Sequence, residues 1–99
     1  MYCLEAGHVY KLSNALEPSR MQEVKFIKRV NGQLVSDGTT NEEVLGMLID
    51  RIKYLNTKLP CRENALVITK LEESLMWLEK RTALRVAQGV ETLDETHKC

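Results

Sequence analysis

The chain has 99 residues, of which 43% are hydrophobic and 28% are charged, and its 14 basic side chains balance its 14 acidic ones. This length fits one domain (residues 1–99), and the zero net charge argues against a nucleic-acid polymer or an anionic membrane as partner, since both need a basic excess. Because the chain has one Trp, three Tyr and one Phe, large core anchors are few. We therefore expect self-association to bury additional apolar surface.

The sequence shows no membrane, export or metal signal. No apolar run approaches the roughly 18 residues of a membrane span, and the first five residues lack the basic and apolar regions of a signal peptide. We therefore expect an intracellular protein. Cys3, Cys61 and Cys99 are widely spaced and form no CxxC pair, which favours reduced thiols. Neither a metal nor a cofactor is expected.

Residues 1–40 predict β-structure. Residues 8–12 alternate in character as a half-buried strand does, and residues 24–30 predict a second strand after a connection that contains Pro18. Asn31-Gly32 predicts a type I′ hairpin turn, because that turn needs positive φ at both central positions. Residues 33–35 form the expected returning strand.

Residues 41–89 predict two helices. A capping-box pattern at residues 40–43 begins the first helix, which runs to Lys58 or Leu59 before Pro60 ends it. Its apolar stripe steps by three and four residues through positions 45, 48, 52, 55 and 59.

The second helix is expected from residues 62–64 to Gln88, with Gly89 as its terminator. Its stripe is Ile68, Leu71, Leu75 and Leu78, continued by Thr82 and Arg85. The short linker forces an antiparallel helical hairpin, and its two stripes favour packing against another copy. The expected fold is therefore α+β: an antiparallel β-hairpin sheet, a long two-helix hairpin and a polar tail (90–99), assembled as a homo-oligomer.

Three basic side-chain groups are candidate anion sites. On the second helix, Trp77, Arg81 and Arg85 recur every four residues, so that an indole could stack on a base while guanidinium groups bind phosphate. Equally, Trp77 fits a core or interface position, and the arginines fit ion pairs with Glu79, Glu91 or a neighbouring chain.

The second group of candidate side chains lies at the turn between the helices. Arg62 and Asn64 follow Pro60, and Tyr54 lies near the end of the first helix. The Asn64 amide could bind a base edge or a ribose, and it also fits a helix cap. Tyr54 could stack on a base, and it also fits a partly buried ring.

The third group lies on an early strand and consists of Lys25, Lys28 and Arg29. These residues fit either a solvated edge strand or a second anion site.

The sequence offers few catalytic patterns. It contains no GxGxxG, GxxxxGK[ST], GxSxG or HExxH motif. His8 and His97 lie near opposite termini, and Cys61 has no identified base to activate it. We therefore do not expect an enzyme.

Four segments together resemble one protein family. They are DGTTNEEVL (37–45), LIDR (48–51), LPCREN (59–64) and KLEESLMWLEKRT (70–82). As a set they resemble the phage Thoeris anti-defence sponge proteins of the first type, whose helical hairpin is shared with phage anti-CBASS cyclic-nucleotide sponges. The N-terminal β part is similar to these sponges as well.

The resemblance implies a function and an assembly. Members bind the cyclic ADP-ribose isomer made by bacterial TIR-domain defence proteins and hold it without cleavage, so the Thoeris effector is not activated. They form dimers and hexamers (trimers of dimers), act in the cytoplasm of the infected host, and some also hold cyclic di- or trinucleotides.

The resemblance also implies roles for individual residues. Tyr54 matches the stacking residue, Asn64 the polar base or ribose contact, and Arg81 and Arg85 the phosphate-binding arginines. Arg29, beside Lys28, matches a basic residue of the second, cyclic-oligonucleotide site. Relatives often have a compact Gly-Val-Glu-Gly-Thr-His tail, whereas four residues interrupt that pattern here, at positions 92–95.

Two other functions remain open from the residues alone. One is an enzyme that degrades the signal. The other is a ligand-free helical oligomer or adaptor protein.

Overall fold

A computed structural model describes residues 1–88. The elements, in chain order, are β1 (Tyr2–Glu5), β2 (Val9–Ser13), β3 (Met21–Lys25), β4 (Lys28–Val30), β5 (Gln33–Ser36), α1 (Asn41–Lys58) and α2 (Arg62–Gln88). Antiparallel strands followed by two helices confirm the predicted α+β class. The strands and the helices fall into separate compact units, which divide between Thr40 and Asn41.

The strand unit contains a three-stranded antiparallel sheet in the order β1-β2-β3. β2 and β3 pair without interruption, from Val9 opposite Lys25 to Ser13 opposite Met21. β1 pairs with β2 through an irregularity between Cys3 and Glu5. Sequence reasoning missed β1, since its side chains are all exposed and carry no alternating burial pattern.

The single strand predicted over residues 24–30 is wrong in detail, because the chain leaves one sheet and enters another at Phe26. The Phe26 amide donates to the His8 carbonyl at 2.7 Å, whereas the Ile27 amide donates to the Thr39 carbonyl at 3.0 Å. The Thr39 amide in turn donates to the Lys25 carbonyl at 2.7 Å. These long-range partners break the strand, and nothing local in the sequence signals them.

The predicted hairpin turn is confirmed. Asn31 and Gly32 have φ of 52° and 77°, the left-handed values that a type I′ turn requires. The turn joins β4 to β5 in a two-stranded antiparallel sheet.

Both helices begin and end where local signals place them, as far as the structure describes them. α1 begins directly after Thr40 and ends at Lys58, before Pro60, and α2 begins at Arg62. α2 is described to Gln88. The predicted terminator Gly89 and the tail 90–99, with Glu91, His97 and Cys99, lie outside the described residues.

The two helices contact each other, and the three-residue connection makes them antiparallel. An ion pair joins them, with Lys53 Nζ 3.1 Å from Glu72 Oε2. In α1 the most buried residue is Ile49, 8% exposed, whereas Leu48 and Leu59, which we predicted for the stripe, are exposed. The packed face of α1 is therefore rotated toward Ile49.

The packed face of α2 includes two arginines near the end of the helix. Its less exposed residues are Asn64, Ile68, Leu71, Leu75, Leu78, Arg81 and Arg85. Thr82 is exposed, so the expectation that Thr82 continues the stripe is wrong. A step of three from Leu78 places Arg81 there instead.

Candidate functional site

Backbone and side-chain hydrogen bonds organise the turn between the helices. The Cys61 amide donates to Asn56 Oδ1 at 3.1 Å, and the Asn64 amide donates to Cys61 Sγ at 3.4 Å. Cys61 therefore caps α2, which contradicts the alternative in which Asn64 is the cap. The cap leaves the Asn64 side chain half-buried on the packed face, and Arg62 beside it is exposed.

Tyr54 presents an exposed ring near this turn. The residue is 55% exposed, so a large part of it is accessible to a ligand or to a second copy. Lys58 Nζ lies 5.3 Å from the ring centroid, within cation–π range.

A shallow open depression of about 530 Å³ lies on α1 and includes the Tyr54 ring; its lining residues are Met47, Asp50, Arg51, Lys53, Tyr54 and Thr57. The spacing of its residues in the sequence is a signal for this depression. Asp50 and Arg51 precede Tyr54 by four and three positions, the spacing at which helical side chains meet.

Trp77 is also exposed. It is 55% exposed, and Lys80 Nζ lies 5.0 Å from its ring centroid. Trp77 therefore does not lie in the core formed by residues 1–88. The indole is accessible to a ligand or to a second copy.

Arg81 and Arg85 are half-buried, and their guanidinium groups lack partners in the described part of the chain. Within residues 1–88, the Nε atom of each is buried and makes no hydrogen bond. Neither forms an ion pair with Glu79 there, and Glu91 lies outside the described residues. A buried donor left unpaired costs about 1–3 kcal/mol, so this pair favours an anionic acceptor that would occupy both Nε–H groups.

A single hairpin does not bring all the predicted site residues together. Arg81 follows Asn64 by 17 positions within α2, which separates them by roughly 25 Å along the helix axis at about 1.5 Å per residue. Tyr54, Arg62 and Asn64 thus lie toward the turn end, whereas Arg81 and Arg85 lie toward the opposite end.

The third predicted cluster lies in the strand unit and is partly occupied by an internal ion pair. Lys28 Nζ donates to Glu5 Oε1 at 2.6 Å. This hydrogen bond and the Lys28 charge lower the pKa of the Glu5 carboxyl below its ordinary value. Arg29 is half-buried and forms no ion pair within residues 1–88. Of the two predicted residues, Arg29 is therefore the one that remains available to an anion.

Two negative findings apply to the described residues. Among residues 1–88, no cluster of His, Cys, Asp or Glu has the arrangement to hold a metal ion. Over the same range, neither helix combines the length and the apolar character that crossing a membrane requires.

Comparison with known protein families finds a match that includes most of the helical hairpin. Residues 21–83 match the family described as Acb2/Tad1, hairpin domain. The chain belongs to this family. The match begins at β3 and includes Tyr54, Asn64, Trp77 and Arg81, whereas Arg85 lies two positions beyond it.

A curated relative extends the comparison. The chain is 52% identical over 61 residues to the protein named Thoeris anti-defense 1 from Bacillus phage SBSphiJ7. The similar region covers 61% of this chain and 43% of that relative. The chain therefore matches less than half the length of the phage protein.

Proposed function

We propose that this protein is a phage anti-defence sponge, which binds a cyclic ADP-ribose-type immune signal and holds it without cleavage. Sequestration keeps free signal below the level that activates the Thoeris effector, in the cytoplasm of the infected host. The family and the name of the phage relative support the anti-defence role. The observation that carries the proposed ligand class is the pair of buried, unpartnered Nε atoms on Arg81 and Arg85.

The chemistry of the side chains fits a nucleotide with two phosphates. Guanidinium groups bind phosphate oxygens bidentately, with hydrogen bonds to charged groups worth about 1.5–3 kcal/mol each. Tyr54 offers a stacking surface, and Asn64 offers both a donor and an acceptor to a base or ribose. Arg62 and Trp77 supply a further charge and a further ring.

Tyr54 and Asn64 lie far from Arg81 and Arg85 within one hairpin, so the proposed site is complete only when two copies meet. If two hairpins pack antiparallel to each other, the Tyr54 end of one copy meets the Arg81 end of the other. The ligand then lies between the copies, and a two-fold dimer holds two such sites.

The surfaces of both helices are suited to such packing. Large apolar side chains are exposed along them: Met47, Leu66, Val67, Met76, Leu84 and Val86. Exposed apolar side chains in this number on two helices favour packing against another protein surface. We propose a homodimer as the binding unit, and a trimer of dimers as the larger assembly.

A second site for cyclic di- or trinucleotides is a further part of the proposal. Arg29 supports it, as an unpaired guanidinium in the described region, with Lys28 next to it. Because Lys28 already bonds Glu5 at 2.6 Å, a ligand there must share this lysine or displace the carboxylate. Arg29 is therefore expected to contribute more to the second site than Lys28.

The test combines ligand retention with ligand recovery. We expect a cyclic ADP-ribose isomer to raise the melting temperature in proportion to ln(1 + [L]/Kd), and mass spectrometry of the denatured complex to return it intact. Arg81→Ala and Arg85→Ala should abolish this retention and leave the oligomer unchanged. Arg20→Ala, an exposed arginine paired with Glu17 in the strand unit, is the matched control.

Each competing function predicts a different result. A degrading enzyme returns an altered ligand. An adaptor without a ligand shows no thermal shift with any cyclic nucleotide. Unchanged retention in both arginine variants would show that the phosphate assignment is wrong.

A further inference from the structure

The depression beside Tyr54 contains polar groups to which the proposed function gives no role. Two of them already have partners within the chain. Thr57 Oγ1 donates to the Tyr54 carbonyl at 2.6 Å, and Lys53 Nζ pairs with Glu72 at 3.1 Å. Within residues 1–88, Asp50 and Arg51 form no hydrogen bond or ion pair through their side chains. These two are therefore the groups of the depression that can bind a ligand without breaking an existing contact.

The position of Asp50 relative to the ring follows from helix geometry. Asp50 precedes Tyr54 by four residues, and a tyrosine side chain in a helix leans toward the N-terminus, over the preceding turn. The ring and the carboxylate consequently line the same depression. We therefore expect the sugar attached to a base that stacks on Tyr54 to lie near this carboxylate.

The charge of Asp50 restricts what it can recognise. An ionised carboxylate only accepts hydrogen bonds, so it repels phosphate and favours hydroxyl or amino donors. In a nucleotide the strongest match is the ribose, whose hydroxyls donate to an acidic side chain in other nucleotide sites. The same repulsion directs the phosphates away from Asp50, toward the arginines.

We propose that Asp50 accepts a hydrogen bond from a free ribose hydroxyl of the nucleotide that stacks on Tyr54, and so selects ribose over deoxyribose. This inference rests on the proposed function and adds to it a residue that determines sugar specificity. A site that binds a hydroxyl by a buried or charged partner rejects the analogue that lacks it.

The test measures a ratio of affinities. Calorimetry would give Kd for a cyclic ADP-ribose isomer and for its analogue with one free ribose hydroxyl replaced by hydrogen. We expect the intact protein to prefer the ribose form by about tenfold or more. Asp50→Ala should bring that ratio close to one, and Asp50→Asn should give an intermediate value. Glu73→Gln, which removes an equal charge from the exposed face of α2, should leave the ratio unchanged.

The outcomes separate this inference from the proposed function. If the intact protein binds neither ligand, both fail. If it binds the ribose form and Asp50→Ala keeps the same preference, only the role of Asp50 is overturned. A change in oligomeric state without a change in the ratio would also overturn it, since Asp50 would then serve contacts between copies.

Discussion

At the scale of single residues, burial distinguishes the two arginines proposed to bind phosphate from a solvated one. Arg20 is exposed and pairs with Glu17 at 3.5 Å, a surface contact worth little to stability. Arg81 and Arg85 instead have buried Nε atoms without a partner in residues 1–88. The sequence pattern singles out Arg81 and Arg85 as a candidate anion site but leaves ion pairs within the chain as an alternative for both. Only the folded hairpin shows which of them lack an internal acceptor.

Gly38 illustrates a residue whose small size the fold requires. A Cβ built on it would lie 2.6 Å from the Phe26 carbonyl carbon and would also clash with the Lys25 carbonyl oxygen. Both obstacles are backbone atoms of the crossing where Thr39 bonds Lys25. No flexible side chain can move aside to relieve the contact.

We therefore expect Gly38→Ala to destabilise the strand unit by about 1–3 kcal/mol. Chemical denaturation followed by circular dichroism measures the effect. Gly46→Ala is the matched control: a Cβ there meets nothing within 4 Å, and alanine stabilises a helix interior by about 0.5–1 kcal/mol over glycine. Equal behaviour of the two variants would contradict the steric argument.

At the scale of elements, local signals determined what could be predicted. Pro60 and the sequence around Thr40 gave the bounds of the helices, and Asn31-Gly32 gave the hairpin, because caps and turns depend on near neighbours. The break between β3 and β4 could not be predicted, since it depends on bonds from Phe26 to His8 and from Ile27 to Thr39.

The candidate site likewise combines features that the sequence predicts with features that only the fold shows. Helical periodicity correctly placed Arg85 on the packed stripe of α2. It also placed Thr82 there, whereas Arg81 is the residue on the stripe. It also missed Ile49, although this residue is 8% exposed and is the buried apolar residue of the described chain. The separation of the turn end from the arginine end follows from helix length and was available from the sequence.

The burial of Ile49 gives a prediction for the helical hairpin. Ile49→Ala should lower the free energy of unfolding by about 2–4 kcal/mol, through lost apolar contact and the space left behind. Thr69→Ala, at an exposed position of α2, should change it by less than about 1 kcal/mol. Denaturant titration measures both. An effect at Ile49 no larger than that at Thr69 would contradict the packing of Ile49 within the hairpin.

At the scale of the whole molecule, the shortage of core is the feature that most favours assembly. One residue of the described 88 is a buried apolar residue, whereas a well-packed domain of this size buries a contiguous core. Zero net charge does not oppose anion binding here, because the proposed ligand is small and the cations that meet it are few and local. In the proposed function, assembly and ligand capture would share one cause, because a second copy would complete both the packing and the site.

The most direct test of this account is complementation between two inactive variants. Tyr54→Ala removes the turn end of the site, and Arg81→Ala removes the arginine end. In a two-fold dimer that contains one copy of each, one site carries both changes and the other carries neither.

We predict that each variant alone fails to retain a cyclic ADP-ribose isomer, whereas the purified mixed dimer binds about one ligand per dimer. The bound ligand should be recovered intact. Binding by the mixed dimer that stays as low as that of the separate variants would contradict a site shared between copies.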